Sequence, residues 1–263
     1  MTEQETAPGG MFYSRDFALL AGSMLCLLLL LAGWVVYDTN RDYRAQNVTM
    51  LEAEATRLDR SVILELKQSS YLLESLGRQI LHLGAHDEEG IARLLRSFDT
   101  ENSLFRVFAW IIADQQIIAT SIRGVLPQGI DVSDRDYMKK ALIEPWRVQL
   151  GRPVEGRISD KWVIPTAMGI DDYAGNHLGT VLLSIDIEQL TQKLRQTLQG
   201  KQIDFGMVTD SYLEITESAK QTGFIDKYFP LDALRRINFA IQPQGRMEAV
   251  PNGNLVTYYQ KSA

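Results

Sequence analysis

The run "FALLAGSMLCLLLLLAGWVVY", Phe17 to Tyr37, carries no charged residue between Asp16 and Asp38. At 1.5 Å per residue a helix of this length spans roughly 31 Å, the hydrocarbon thickness of a bilayer. Trp34 and Tyr37 sit at one end, where interfacial aromatics belong. The apolar region of a cleaved signal peptide is usually only about 7–15 residues long. The greater length here argues for an uncleaved anchor. Orientation is less direct. Arg15 precedes the span and Arg41 and Arg44 follow it, so the positive-inside count by itself leans away from a cytoplasmic N-terminus.

Before the span, residues 1–16 hold Pro8, Gly9 and Gly10 and few apolar side chains, and read as a short disordered tail. After it, apolar residues recur at Val48, Leu51, Ala55, Leu58, Val62, Leu66, Leu73, Leu76, Ile80 and Leu83. The steps are threes and fours, with one seven-residue gap across Ser69, which predicts one striped helix. A stripe does not name its partner. It serves equally a dimerising stalk leaving the membrane and a helix packed on its own domain.

The period then changes. "IARLLRSF" is a short helical stretch. "LFRVFAWIIA" (104–113) and "QIIATS" (116–121) are β-branched and aromatic, and flank a polar "DQ", a hairpin signal. A loop, a short helix and the turn-rich "GRPVEGRISD" follow. Next come two long strands, "KWVIPTAMGI" (161–170) and "HLGTVLLSIDI" (177–187), and a helix, "EQLTQKLRQTL" (188–198). This is an α+β order. A smaller strand-rich run, "IDFGMVTD", "YLEITES", "FAIQPQG", "RMEAV" and "NLVTYY", looks like a partial copy of the first unit.

The net charge of -6 argues against nucleic acid as a partner, since phosphate neutralisation needs clustered Lys and Arg. The single cysteine, Cys26, lies inside the apolar span, so disulfides and thiolate metal sites are not expected. No G-x-S-x-G, Walker A, H-E-x-x-H or dinucleotide glycine turn occurs, so no catalytic residue and no cofactor is assigned. His82 and His86 are four apart, but Gly84 interrupts their helix, and no metal site is assigned to them. His177 sits beside a turn and reads as a surface residue.

One ten-residue stretch, "DVSDRDYMKK" (131–140), has more to offer. Ser133 is a natural N-cap with Asp136 three positions on, and capping explains the serine and the acids. It explains neither Arg135 nor Tyr137. Arginine offers a planar fork of donors to a carboxylate, and tyrosine a hydroxyl on an aromatic wall. With Trp110 and Trp162 on neighbouring strands, these residues are candidate ligand contacts.

The stretches "IDVSDRDYMKKA", "GRPVEGRISDKWVIPTAMGI" and "GNHLGTVLLSIDIEQL" resemble the double Cache (PAS-like) sensor region of bacterial transmembrane receptors, most closely that of diguanylate cyclases and histidine kinases. The resemblance covers roughly residues 40–263. It implies a cytoplasmic tail (1–16), a transmembrane helix (17–37) and a stalk helix with a helical entry (38–95). A membrane-distal Cache module with an antiparallel sheet (96–200) and a smaller, incomplete proximal module (201–263) follow. It also implies an inner-membrane protein with a periplasmic sensor, dimeric through the stalk and lacking its output domain. A second span and a cyclase or kinase domain are expected after Ala263.

In amino-acid-binding members an Arg-x-Trp-Tyr element grips the ligand carboxylate, and a late-strand Asp takes the ammonium. Here Arg135 matches the arginine, Tyr137 stands where Trp is expected, Met138 replaces the second aromatic and Ile130 an upstream Tyr. Asp186 matches the late Asp. The ligand implied is therefore an amino acid or, equally, another small carboxylate. Two rival readings are a membrane-anchored assembly protein without a ligand and an anchored hydrolase using Asp131, Asp134, Asp136 and Asp186.

Overall fold

The structure is a computed structural model. It describes residues 12–99, 104–198, 200–201, 203, 205–207, 236–237, 239–241, 244–249 and 255–261. The chain divides into two compact units, Met1–Glu52 and Ala53–Ala263. The first is helical wherever it is described and belongs to α1 (Phe12–Leu83). Its apolar window is long enough to cross a membrane, with a mean hydropathy of 1.6 and none of it buried within the protein. Leu19, Leu28, Trp34 and Tyr37 all stand exposed, as side chains facing lipid would.

In the second unit α1 continues to Leu83, and α2 (Glu88–Ser97) follows after a tight turn. Asp87 caps α2 by accepting from the Gly90 amide at 2.9 Å. Five strands then form most of one antiparallel sheet: β1 (Phe105–Ile112), β2 (Gln116–Thr120), β3 (Gly124–Asp131), β6 (Trp162–Asp171) and β7 (His177–Asp186). Helix α3 (Asp136–Ile143) and the short strands β4 (Val148–Leu150) and β5 (Val154–Glu155) lie between β3 and β6, and α4 (Ile187–Thr197) follows β7. The strand order is β3-β2-β1-β7-β6-β4, with β5 pairing on β6. A separate hairpin of β8 (Gln244–Ala249) and β9 (Leu255–Gln260) carries the described parts of the expected "RMEAV" and "NLVTYY" strands, residues 246–249 and 255–259.

Both faces of the sheet are covered. On one face Leu73, Leu76 and Ile80 of α1, Ile91 and Leu95 of α2, and Leu190 and Leu194 of α4 pack against Phe108, Trp110, Ile164, Met168, Val181 and Leu183. On the other, Tyr137, Met138 and Ala141 of α3 pack with Val107, Ala109, Ile111, Ala167 and Leu182. Double burial explains why "VFAWII" and "VLLSIDI" read as unbroken apolar runs rather than alternating ones. The helix α3 sits close because position 169 is glycine. A Cβ there would stand 2.3 Å from the Ala141 carbonyl oxygen.

Of the two meanings open to the α1 stripe, this packing realises one within the second unit. Leu58, Val62 and Leu66 lie against the same core as Leu73, Leu76 and Ile80. The gap in the apolar pattern is bridged by Ser69, which is buried with its hydroxyl bonded to the Leu66 carbonyl at 2.7 Å. Two buried glutamates on α1 are answered by lysines: Glu65 by Lys193 of α4, and Glu54 by Lys201.

Other readings need correction. Strand β3 falls where a loop is expected. Pro127 and two glycines hide it, and they are tolerated because β3 is the exposed edge of the sheet. The turn-rich stretch contains β5, and β4 lies just before it. "FAIQPQG" opens on a turn at residues 239–241, and the described part of "IDFGMVTD" is not strand. "YLEITES" lies outside the described residues. His177 is half-buried, its Nδ1 2.9 Å from Asp171 Oδ1.

Truncating the stripe where it meets the sheet should be costly. Leu76→Ala is expected to lower unfolding free energy by about 2–5 kcal/mol. Leu64→Ala, at a position 65% exposed on the same helix, should change it by less than about 0.5 kcal/mol. Chemical denaturation of the detergent-solubilised chain, followed by tryptophan fluorescence, compares the two.

Candidate functional site

The segment from Asp131 to Ile143 turns the chain from the edge strand onto the sheet. Asp131 accepts from the Ser133 amide at 2.9 Å, closing a turn in which aspartate bonds its own backbone two residues on. That amide is the main reason the Asp131 carboxyl lies below the usual carboxylate range, with the Ser133 hydroxyl and Arg157 acting in the same sense. Ser133 is thus part of this turn and not the N-cap the sequence suggests. The helix begins at Asp136, and Arg135 occupies the cap position in extended conformation with no side-chain cap bond. Capping therefore leaves the Arg135 guanidinium free for another task.

Arg135 and Tyr137 both line a small cavity between α3, the sheet and a tight hairpin over residues 154–163. Val107, Leu182, Ser184, Val163 and Pro165 form its sheet wall, and Val132 and Ile117 its side. The hairpin supplies Val154, Glu155, Gly156, Arg157, Ile158 and Ser159. It is held by the Val154–Val163 and Glu155–Trp162 pairs and by the Gly156 amide on the Lys161 carbonyl at 2.8 Å. Its tip is pinned at three points. Ile158 is buried, and Arg123 donates to the Ile158 carbonyl at 2.9 Å. Arg157 donates to the Asp131 carbonyl and, at 2.8 Å, to Asp134 Oδ2.

The cavity measures about 30 Å³. One water needs roughly 10–15 Å³, so this volume holds about two or three waters and not an amino acid. An organic ligand needs more room than the cavity has with the hairpin seated as it is. The walls are otherwise apolar and the polar groups few, the usual make-up of a small-molecule site. Arg135 is 19% exposed in its side chain, and its ion pair with Asp134 is loose, Nε to Oδ1 at 3.9 Å. Burial pushes the Tyr137 hydroxyl up to about 12, against the opposing pull of the neighbouring Arg135 charge. At neutral pH the hydroxyl stays protonated and can donate. Gly151 allows the chain to cross the tyrosine ring: a Cβ there would meet Tyr137 Cδ1 at 2.8 Å and Pro165 Cγ at 2.6 Å.

The other candidate residues are elsewhere. Trp110 is fully buried on the opposite sheet face, in the core beneath α1 and α2, and its indole nitrogen has no hydrogen-bond partner. Trp162 packs against that same core at the start of β6. Asp186 shares the strand parity of Ser184, and its backbone partner Val163 lines the cavity. Its carboxylate, however, caps α4 by accepting from the Gln189 amide at 3.2 Å. Arg157 and Ser184 were not foreseen. A second arginine closing the turn-rich "EGRISD" was the available signal. Among the described residues no group of three or more His, Cys, Asp or Glu could hold a metal ion.

No protein-family model and no curated protein sequence matches the chain. Solved structures do. The extracellular domain assigned to a histidine kinase, rpHK1S-Z16, aligns with a TM-score of 0.60 at 16% identity, over 81% of this chain and 88% of that one. The ligand-binding domain of the Pseudomonas fluorescens chemoreceptor CtaA, solved with L-alanine, gives 0.55 at 15% identity over 80% and 87%. That of the Pseudomonas aeruginosa PAO1 amino acid chemoreceptor PctC, solved with GABA, gives 0.52 at 20% identity over 65% and 76%. The chain has the Cache (PAS-like) α+β fold. In this Cache fold the cavity lies on the sheet face opposite the long helix, under α3 and the hairpin.

The raised Tyr137 titration has a definite consequence for stability. Between pH 10 and about 12 the folded protein keeps a proton that the unfolded chain has lost, so stability falls as pH rises through this window. The loss attributable to Tyr137 is expected to approach about 2–3 kcal/mol at its upper end. Tyr137→Phe should flatten that part of the profile, measured as unfolding free energy against pH.

Proposed function

We propose that this chain is the extracytoplasmic small-molecule-sensing input of a transmembrane receptor. The observation that carries the reading is the convergence of Arg135 and Tyr137 on one cavity in a Cache sensor fold. Arg135, released from capping, grips a carboxylate through its planar donor fork, and the protonated Tyr137 hydroxyl adds a donor. The ligand is an amino acid or another small carboxylate. The capping role of Asp186 favours the second, because that aspartate must leave α4 before it can meet an ammonium group. Trp110 and Trp162 support the site from behind the sheet, outside ligand contact.

The tail before Phe17 lies in the cytoplasm, and residues from Asp38 onward lie in the periplasm of a bacterium, anchored in the inner membrane. The β8–β9 hairpin belongs to a membrane-proximal module. Ligand entry beneath the hairpin over residues 154–163 shifts the equilibrium between two packings of α1 within a homodimer. The output is that of a diguanylate cyclase or a histidine kinase.

One observation favours a second reading, an anchored assembly protein without a ligand: a 30 Å³ cavity is nearly a filled core. A ligand screen by thermal shift on the detergent-solubilised chain separates them. The sensing reading expects stabilisation by at least one amino acid or small carboxylate. Stabilisation by none, across panels of both, favours the assembly protein.

With such a ligand, Arg135→Ala should weaken binding about 10- to 150-fold while the fold survives, as loss of a charge-assisted hydrogen bond of roughly 1.5–3 kcal/mol requires. Asp136→Ala, altering an exposed residue beside Arg152, should leave affinity nearly unchanged. Titration calorimetry showing the reverse ranking would overturn the assignment. Topology is read separately. Tyr173, 91% exposed in the β6–β7 turn, replaced as Tyr173→Cys in a Cys26→Ser background, should react with an impermeant thiol reagent on cells with a permeabilised outer membrane. Reaction only after full lysis would place this face inside.

A further inference from the structure

The cavity carries two arginines, Arg135 and Arg157, and a single carboxylate, that of Asp134, stands between them. Its Oδ2 accepts from Arg157 Nη2 at 2.8 Å, and its Oδ1 is 3.9 Å from Arg135 Nε. Asp134 and Arg135 adjoin on the turn before α3, whereas Arg157 comes from the hairpin tip 23 residues on. The same Arg157 also donates to the Asp131 carbonyl. One aspartate thus adds a tie between the hairpin and the turn while drawing on both of the guanidinium groups that line the cavity. The other nearby acids are differently engaged. Asp131 accepts from the Ser133 amide, Asp136 lies 3.9 Å from Arg152, and Glu155 is exposed on the hairpin itself.

We infer that Asp134 is an internal stand-in for the ligand's carboxylate, latching the hairpin shut until an incoming carboxylate displaces it from Arg157 and Arg135. The inference rests on reading the cavity as a carboxylate site. The latch is suited to being displaced. Its partners are open to water, with side-chain exposures of 58% for Asp134 and 38% for Arg157. Exposed pairs of this kind shift equilibria by up to about fivefold. A ligand carboxylate seated deeper, against the 19%-exposed Arg135 and the buried Tyr137, outcompetes it because charge-assisted bonds gain strength as water is excluded. A built-in competitor also sets a threshold: weak anions fail to open the hairpin, and a ligand must offer more than a bare negative charge.

The test is chemical rescue on the full chain in lipid nanodiscs, read by amide hydrogen exchange across residues 151–161. Asp134→Ala should raise exchange in this segment by up to about fivefold, as the latch is lost. Sodium acetate, which restores a carboxylate between the arginines, should bring exchange back towards the wild-type rate. Acetamide, and sodium chloride at matched ionic strength, should not. In Asp134→Ala combined with Arg157→Ala, acetate should have no effect. The inference is overturned if Asp134→Ala exchanges like wild type, if acetamide or chloride restores protection as well as acetate does, or if rescue survives the loss of Arg157. The sensing reading fails separately. Rescue by acetate together with no stabilisation by any amino acid or small carboxylate keeps the latch and discards the sensor. Arg135-dependent ligand binding without rescue does the opposite.

Discussion

The burial of β1, β6 and β7 on both faces governs the rest of this structure. From Val181 to Ile185 no side chain of β7 reaches solvent freely, so each face must find a cover. On one side α1, α2 and α4 supply it with whole helical turns, and the result is a core of buried aliphatic and aromatic side chains. On the other side only the eight-residue α3 and a short hairpin are available. They cover that face with more than aliphatic side chains, and Arg135, Arg157, Tyr137 and Ser184 help to complete it. The cavity lies where the chain covers its second face with little material and a few polar groups.

Much of this was legible in the sequence where one physical signal dominated. The uncharged run through Leu28, the threes and fours of the α1 stripe, and the β-branched runs around Trp110 and Leu182 each read as the element the structure contains. The readings that failed did so where two signals compete. Pro127 and Gly129 argue for a loop, yet an edge strand can carry both because half of its hydrogen-bonding groups need no strand partner. Ser133 is a better capping residue than Arg135 by composition, but Asp131 captures the Ser133 amide first and delays the helix.

The candidate site was legible only in half. Arg135 and Tyr137 stood out because local structure did not explain them, and the cavity joins them. Trp110 and Trp162 were chosen for size and strand membership. Strand parity sets both on the other face, and parity cannot be counted reliably through a bulge such as the one between Phe105 and Val107. Arg157 was invisible because its importance arises from a hairpin that brings it across to Asp134. The electrostatic character of the site belongs to the tertiary fold, while its donor chemistry belongs to the sequence.

The edge strand β3 has a consequence for how copies of this chain coexist at high local concentration. An exposed strand is a template on which another chain can add itself, and runaway addition ends in fibrils. At residue 127 the template is broken, because proline offers no amide hydrogen. The opposite rim offers β4, only three residues long. In this sheet neither rim presents a long unbroken run of amides to a neighbour's backbone. At these two rims any contact between copies falls to side-chain surfaces, whose geometry can be tuned residue by residue.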